Sequence, residues 1–255
     1  MTHRPDPAPA LQLTAVSKAF GGVQAVHNVD LTIQAGERRA LIGPNGAGKT
    51  TLFNLVAGEL PVDRGTIRMF GRDVTRHTIQ QRARFGLGRT YQISQLFSAL
   101  SVLENLFLAG LRAQNERINL LRRWDQHTRE RDWAYQVAEQ VNLTGSLEIP
   151  IAELSHGQQR QLEIGMALAT RPRLIMLDEP AAGLSPAERV SIASLIRNLS
   201  RDITMVLIEH DMEVVMSLAE TVTVLHRGEI IAEGHPDEIR ADERVQAVYL
   251  GVAHV

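Results

Sequence analysis

Gly43-Pro44-Asn45-Gly46-Ala47-Gly48-Lys49-Thr50-Thr51 is the stretch that decides how the chain is read. Its spacing is G-x-x-x-x-G-K-T, a loop that belongs between a strand and a helix. The flanks agree. Ala40, Leu41 and Ile42 read as the end of a buried strand, and Thr51 through Ala57 reads as a helix stopped by Gly58 and Pro61. The glycines let successive backbone N–H groups turn toward one anion, and the helix start adds partial positive charge. Asn45, Gly46, Ala47, Gly48, Lys49, Thr50 and Thr51 therefore read as a cradle for a nucleoside triphosphate. In it Lys49 reaches the β- and γ-phosphates and Thr50 offers a hydroxyl to Mg²⁺. A glycine-rich turn with an incidental lysine is the bland alternative, and both spacing and context count against it.

Two more apolar runs end in residues suited to the same chemistry. Leu174 to Leu177 runs into Asp178-Glu179-Pro180, and Thr204 to Ile208 runs into Glu209-His210-Asp211. Continuous apolar runs of this length predict strands covered on both faces, as in a parallel sheet between helices. In such α/β sheets ligands bind beyond the carboxyl ends of the strands, so the three endings are expected to line one site. Asp178 suits a Mg²⁺ held mostly through water, and Glu179 suits the orientation or deprotonation of an attacking water. His210 suits a contact with the γ-phosphate. Alone, Asp178 and Glu179 would read as acidic residues at a helix start. The company of the phosphate loop reverses that.

Outward from these, residues 11–35 alternate as strands, with Leu11, Leu13 and Ala15 on one face and Val29, Leu31 and Ile33 on another, around a turn at Phe20-Gly21-Gly22. A short strand is expected over 66–70, then a polar helix-like stretch, then an apolar helix from Ser101 capped by Glu104. Residues 112–141, rich in arginine and holding both tryptophans, read as an amphipathic helix packed on a subdomain. A helix is expected from Ser155 to Ala169, a hairpin around Arg227-Gly228, and a short helix with a loose end over 236–255.

Composition sets the outer bounds. With 44% hydrophobic and 22% charged residues, the 255-residue chain is an ordinary globular protein with room for a large core. A net charge of −2 gives no electrostatic case for a nucleic-acid partner. Cysteine is absent, which excludes disulfides, thiolate metal sites and cysteine nucleophiles. The first ten residues lack the apolar core of a signal peptide and read as disordered, and no run approaches the roughly 20 apolar residues of a membrane span. The chain is expected in the cytoplasm, reaching a membrane only through a partner.

Leu154-Ser155-His156-Gly157-Gln158, just upstream of the Asp178 strand, opens a helix with a serine and a glycine where an anion can be held. Taken with the loop at 43–51, Gln92, Asp178, Glu179 and His210 in this order, it makes the whole chain resemble the nucleotide-binding subunits of ABC transporters. That resemblance implies a P-loop NTPase (RecA-like) core over about 11–91 and 172–235. It also implies an N-terminal antiparallel β subdomain, a helical signature subdomain over about 92–171, and a tail from 236. It implies ATP and Mg²⁺ as ligands, with Phe20 stacked on adenine. Thr50, Gln92 and Asp178 would stand around the metal, and Glu179, His210 and Gln92 around the attacking water. Ser155, Gly157 and Gln158 would act on the nucleotide of a second ABC ATPase subunit, identical or homologous.

A narrower likeness is carried by Arg89 to Gln92, Val102 to Leu106, Gly157 to Ile164, Leu177 to Leu184, Ile208 to Met212 and Val248 to Gly251. These resemble the branched-chain amino-acid uptake ATPases, which work with integral-membrane permeases and a periplasmic solute-binding protein at the inner face of the inner membrane. An ATPase serving urea or amide uptake or lipopolysaccharide export stays open beside it, as does a non-transport ABC ATPase. An apolar surface at Ile93, Leu96, Phe97 and Leu100 suits a permease helix. His156 departs from the glycine usual in the signature, and Ser185 stands where most of the family has aspartate.

Overall fold

Alternating apolar residues pair Leu11–Phe20 (β1) antiparallel with Val23–Ile33 (β2), Leu13 opposite Leu31 and Val16 opposite Val29. The expected face is interrupted at Ala15. This residue takes a left-handed φ of 51°, and its N–H donates to Asp30 Oδ1 at 2.9 Å. The alternation slips by one there, so Val16 takes the next fully buried place, and the expectation for Ala15 is corrected by a β-bulge. Arg38–Ile42 (β3) follows, buried along its whole length, and leads through the glycine loop into Lys49–Ala57 (α1). Arg64–Met69 (β4) returns to the free edge of β1, with Arg72–Asp73 (β5) beyond it, completing a four-stranded antiparallel sheet. Ile79–Arg84 (α2) opens on a reciprocal Thr78–Gln81 cap.

In this computed structural model residues 8–90, 96–113 and 127–250 are described. They divide into two units, one running up to Phe85 and resuming at Arg201, the other spanning Gly86–Ser200. The lead-in expected to be disordered lies outside the described residues as far as residue 7; Ala10 is buried, and its carbonyl accepts the Phe70 N–H at 3.1 Å.

The second unit opens with Leu87–Arg89 (β6), a strand that the sequence reading did not assign, paired in parallel with Leu174–Asp178 (β7). Between them stand the helices Val102–Ala113 (α3), Thr128–Gln140 (α4) and His156–Ala169 (α5). Ser101 and Glu104 cap α3 reciprocally, at 2.8 and 3.3 Å, as expected. Ala134, Val137 and Ala138 turn one face of α4 inward, so the described part of the arginine-rich segment is a helix packed on its neighbours. Gly165 of α5 is closely packed: an added Cβ would sit 3.0 Å from the Leu106 side chain and 3.2 Å from that of Val141. Pro186–Arg197 (α6) follows, capped by Ser185.

Back in the first unit, Thr204–Ile208 (β8) runs parallel to β3, with Leu41 opposite Ile208. Met212–Leu218 (α7) then leads to Thr221–His226 (β9), parallel to β3 on its other side. Glu229–Gly234 (β10) closes a hairpin on β9 through the left-handed pair Arg227-Gly228. This unit's mainly parallel sheet thus has the order β10-β9-β3-β8. The tail is more ordered than expected, forming two helices, Pro236–Ala241 (α8) and Glu243–Leu250 (α9). Among the described residues no helix is long and apolar enough to cross a membrane.

One buried cation locks the far end of α1. Arg82, 1% exposed, donates from Nη1 to the carbonyls of Leu55 and Val56, both at 2.6 Å, and from Nη2 to Thr75 at 3.1 Å. Burial pulls its pKa down to about 10, so it stays charged at neutral pH. There it meets carbonyls at the negative end of the helix dipole, that of Leu55 shared with the Gly58 N–H at 3.2 Å. Arg82→Met is expected to destabilise the chain by roughly 3 kcal/mol in urea unfolding, because it removes buried charge-assisted bonds to the Leu55, Val56 and Thr75 carbonyls. A loss under about 1 kcal/mol would show that water replaces the guanidinium there.

Candidate functional site

Each unit carries part of the chemistry. In the first, the loop between β3 and α1 is shaped by glycines pressed against other backbone. Gly43 has φ 150° and Gly48 φ 102°; an added Cβ would fall 2.2 Å from Leu225 O at the first and 2.2 Å from Ala25 O at the second. The hairpin turn holds the loop from outside. Gly228 N–H donates to Ala47 O at 2.9 Å, while Gly228 O accepts His27 N–H at 2.8 Å. No side chain caps α1, which starts directly from Gly48 of the loop. Asn45, Gly46 and Thr50 are exposed, Thr51 is half-buried and Ala47 is buried. Lys49 is 8% exposed, and its Nζ donates to Gly43 O at 2.6 Å and Pro44 O at 3.0 Å. A lysine held by carbonyls of the loop itself is a cation whose partners a phosphate can replace without moving the backbone far.

Phe20 ends β1 with 48% of its surface exposed, and Lys18 Nζ stands 5.5 Å from its ring centroid. A flat apolar face open to solvent at a strand end can stack on a base. His210 follows β8 between a buried carboxylate and a helix cap. Its N–H donates to Glu209 Oε2 at 3.2 Å, and Asp211 caps α7 through the N–H groups of Glu213 and Val214. Its own ring is largely exposed.

In the second unit Asp178 ends β7 at 1% exposure. Its N–H donates to Thr90 Oγ1 at 3.1 Å, and Arg89 Nη2 lies 3.8 Å from its carboxylate. Glu179 sits in the left-handed region, φ 47°, where a non-glycine residue costs of order 1–3 kcal/mol. Two bonds to its carbonyl hold that conformation, from Ala182 N–H at 3.1 Å and Arg160 Nη2 at 3.2 Å. The helix opening is equally constrained. Ser155 and Gln158 cap α5 reciprocally, at 3.2 and 3.0 Å, and Gln158 Nε2 donates to Ser146 Oγ at 3.1 Å. Gly157 N–H donates to Glu188 Oε1 at 3.1 Å, so the helix start already holds an anion. An added Cβ at Gly157 would meet that carboxylate at 2.6 Å.

The structure thus brings Asn45 to Thr51 together as one loop, joins Asp178 and Glu179 to a strand end, and joins Ser155, Gly157 and Gln158 at a helix start. Gln92 lies outside the described residues. A divalent cation can be tested against the donor set. Among the described residues no cluster of three or more His, Asp or Glu side chains forms a protein cage. Thr50 in the first unit and the buried Asp178 in the second each offer a hard oxygen, the donor type that Mg²⁺ takes, an ion that keeps waters and leans on substrate phosphates. Sequence reasoning did not pick out Thr90, Arg160 and Glu188, whose partners lie 88, 19 and 31 residues away. The polar residues three places after Ser155 and Ser185 were the available signal for their caps.

Residues 26–182 match the family described as ABC transporter, and residues 229–255 one described as branched-chain amino acid ATP-binding cassette transporter. Over 254 residues the chain is 38% identical to BraF of Pseudomonas aeruginosa, a high-affinity branched-chain amino acid transport ATP-binding protein. To the Escherichia coli protein of that description, LivG, it is 37% identical over 265 residues. In both comparisons 96% of this chain and 99% of the relative are covered. A crystal structure of a nucleotide-free ATP-binding cassette from an ABC transporter has a TM-score of 0.83 at 30% identity, covering 94% of this chain and 98% of that one. A cassette in its ADP conformation gives 0.84 at 29%, covering 95% and 99%.

Ser185 hydroxyl and N–H bonds hold the Glu188 carboxyl below its ordinary value of 4.5, with Gly157 and His156 adding to the effect and burial opposing it. A depressed native pKa stabilises the fold above the unfolded value and stops doing so as pH falls through the native one. The stability gap between the wild-type chain and Glu188→Gln is therefore expected to hold at neutral pH and to narrow below pH 4.5. Urea titrations across that range check it; a gap that widens on acidification would contradict it.

Proposed function

Because the chain belongs to the ABC transporter family, we propose that it is the ATP-hydrolysing subunit of an importer for branched-chain amino acids or related small polar solutes. The observation that carries this reading is the full-length likeness to branched-chain amino acid transport ATP-binding proteins, which continues through the tail. In this reading the chain works in the cytoplasm on the inner face of the inner membrane. It pairs with a second ABC ATPase subunit and serves integral-membrane permeases, and through them a periplasmic solute-binding protein.

The residues divide the work as follows. The N–H groups from Asn45 to Thr51 and the start of α1 bind the phosphates of ATP, and Lys49 leaves its loop carbonyls for them. Phe20 stacks on the adenine. Thr50 and Asp178, with Gln92, would hold Mg²⁺, which would supply positive charge against the phosphates. Glu179 takes the proton of the attacking water or fixes its direction, and His210 holds that water in line. Ser155, Gly157 and Gln158 act on the second subunit's nucleotide. Gln92 and the residues after it transmit the change to the permease. The surface they lead into is apolar and partly open: Phe97 is 52% exposed, and Leu96 and Leu100 are half-buried. Its backbone is fixed from within by the fully buried Asn105, which accepts Phe97 N–H at 2.9 Å and donates to Ser101 O at 2.9 Å. Ile93 lies outside the described residues.

A positioned base contributes about 10²–10⁴ in rate, or roughly 3–5 kcal/mol of barrier. Glu179→Gln is therefore expected to bind ATP as the wild type does while phosphate release slows at least about a hundredfold. Unchanged turnover would remove Glu179 from the role. Lys49→Ala is expected to weaken ATP binding itself, read by nucleotide titration, and unaltered affinity would count against the phosphate site.

A further inference from the structure

Phe20 is the ring to which the base is assigned, yet its own surroundings do little to hold it. It is 48% exposed at the end of β1, and Val23, opposite it on β2, is 69% exposed. Beyond it the chain turns at Gly21, left-handed with φ 57°, and Gly22, and an added Cβ at either would meet nothing within 4 Å. A side chain with so few neighbours keeps its rotamer freedom and loses it when a ligand stacks on it. Whatever holds the ring in advance has to come from the residues before it.

Those residues are gripped by one carboxylate. Asp63, on the stretch between α1 and β4, accepts Lys18 Nζ on Oδ1 at 2.7 Å and the Ala19 N–H on Oδ2 at 2.8 Å. Its own N–H donates to Ser17 O at 3.0 Å. The three residues that lead into Phe20 are thus each bonded to Asp63. The grip falls where the ladder is disturbed, since the pairing of β1 with β2 slips between Lys18, opposite Val26, and Ala19, opposite Gln24. Lys18 and the Ala19 N–H hold the Asp63 carboxyl below its ordinary value of 3.8, so it is charged at neutral pH. The ammonium it fixes stands over the Phe20 ring, 5.5 Å from the centroid and within the reach of a cation–π contact. The Lys18 side chain is only 11% exposed, which sets it apart from a lysine free in solvent. An ammonium on one face of a ring leaves the opposite face for a base.

We propose that Asp63 is a positioning residue for the base: through Lys18 and Ala19 it holds Phe20 where the adenine of ATP stacks. This rests on the reading that Phe20 takes the adenine. Without the carboxylate the ligand itself has to order the ring, so ATP affinity falls while the chemical step is unchanged. Ordering one side chain on binding changes affinity by about two- to tenfold.

The test is a double-mutant cycle in the full chain: wild type, Phe20→Ala, Asp63→Ala and the two together, each titrated with ATP. Phe20→Ala is expected to raise the ATP Kd by about tenfold, the worth of one stacked base. Asp63→Ala is expected to raise Kd, and the KM for ATP with it, by about two- to tenfold, with kcat within about twofold of wild type. In the Phe20→Ala background it is expected to add less than about twofold, because no ring is left to position. A wild-type Kd in Asp63→Ala, with Kd raised in Phe20→Ala, overturns the role of Asp63 and leaves the Phe20 platform standing. An Asp63→Ala effect that persists in full without Phe20 also overturns it, as the mark of a general packing contact. An unchanged Kd in Phe20→Ala overturns the platform, and the role of Asp63 falls with it. Should Asp63→Ala not fold, Lys18→Met, which keeps Asp63 and its backbone bonds, takes its place in the cycle with the same expectation.

Discussion

Backbone meeting backbone, with no side chain between, is the constraint on which the first unit depends. Gly43 lies against the carbonyl of Leu225 in β9, and Gly48 against that of Ala25 in β2, each so close that a methyl group would overlap the oxygen. Gly228 adds the third approach, bonded on one side to Ala47 and on the other to His27. A strand of the antiparallel sheet, the loop, and the β9–β10 hairpin thereby converge, although more than two hundred residues separate Ala25 from Gly228 in the chain. The convergence fixes β9 beside β3, and the buried cluster of Ala40, Ile42, Val222 and Val224 supplies the apolar burial that holds it there. Arg82 secures the other end of α1 through its carbonyls. A helix clamped at its last turn and a loop pinned at its first residue leave little to reorganise when an anion arrives.

How far the fold was legible follows from the range of the signals. β7 and β8 are buried on both faces and announce themselves as unbroken apolar runs; α5 announces itself by a serine cap and a closing Arg171-Pro172. The hairpin at Arg227-Gly228 was legible because two left-handed residues have few other uses. Ala15 was misplaced because a bulge adds one residue and leaves no composition signal. β6 spans three residues, too few for any period to register, and it exists because β7 offers it a partner. The tail read as a loose end because Asp242, which separates α8 from α9 and caps the second, looks like any acidic surface residue.

For the candidate site, the residues proposed to act on the ligand were legible by spacing, and those that hydrogen-bond them were not. The loop motif names its own members. Nothing near Thr90 in the sequence says that its hydroxyl accepts the Asp178 N–H, nor does anything near Arg160 announce the carbonyl of Glu179. Such bonds depend on where helices and strands come to lie, which local pattern does not encode.

The carboxylate of Glu188 at the start of α5 has a consequence of another kind. A helix start with open N–H groups gains a hydrogen bond and a neutralised charge when a phosphate arrives, and it holds the phosphate accordingly. Here the N–H of Gly157 is bonded beforehand, and the Glu188 charge is shared with Ser185. On the proposed function, a phosphate taking this position would enter by substitution, one anion for another, with the number of hydrogen bonds nearly conserved. Its grip is then a small difference between two similar attachments, and the departing carboxylate stays tethered three residues from Ser185, ready to return. Such a contact is suited to being made and broken in every cycle, which a tight and irreplaceable one is not.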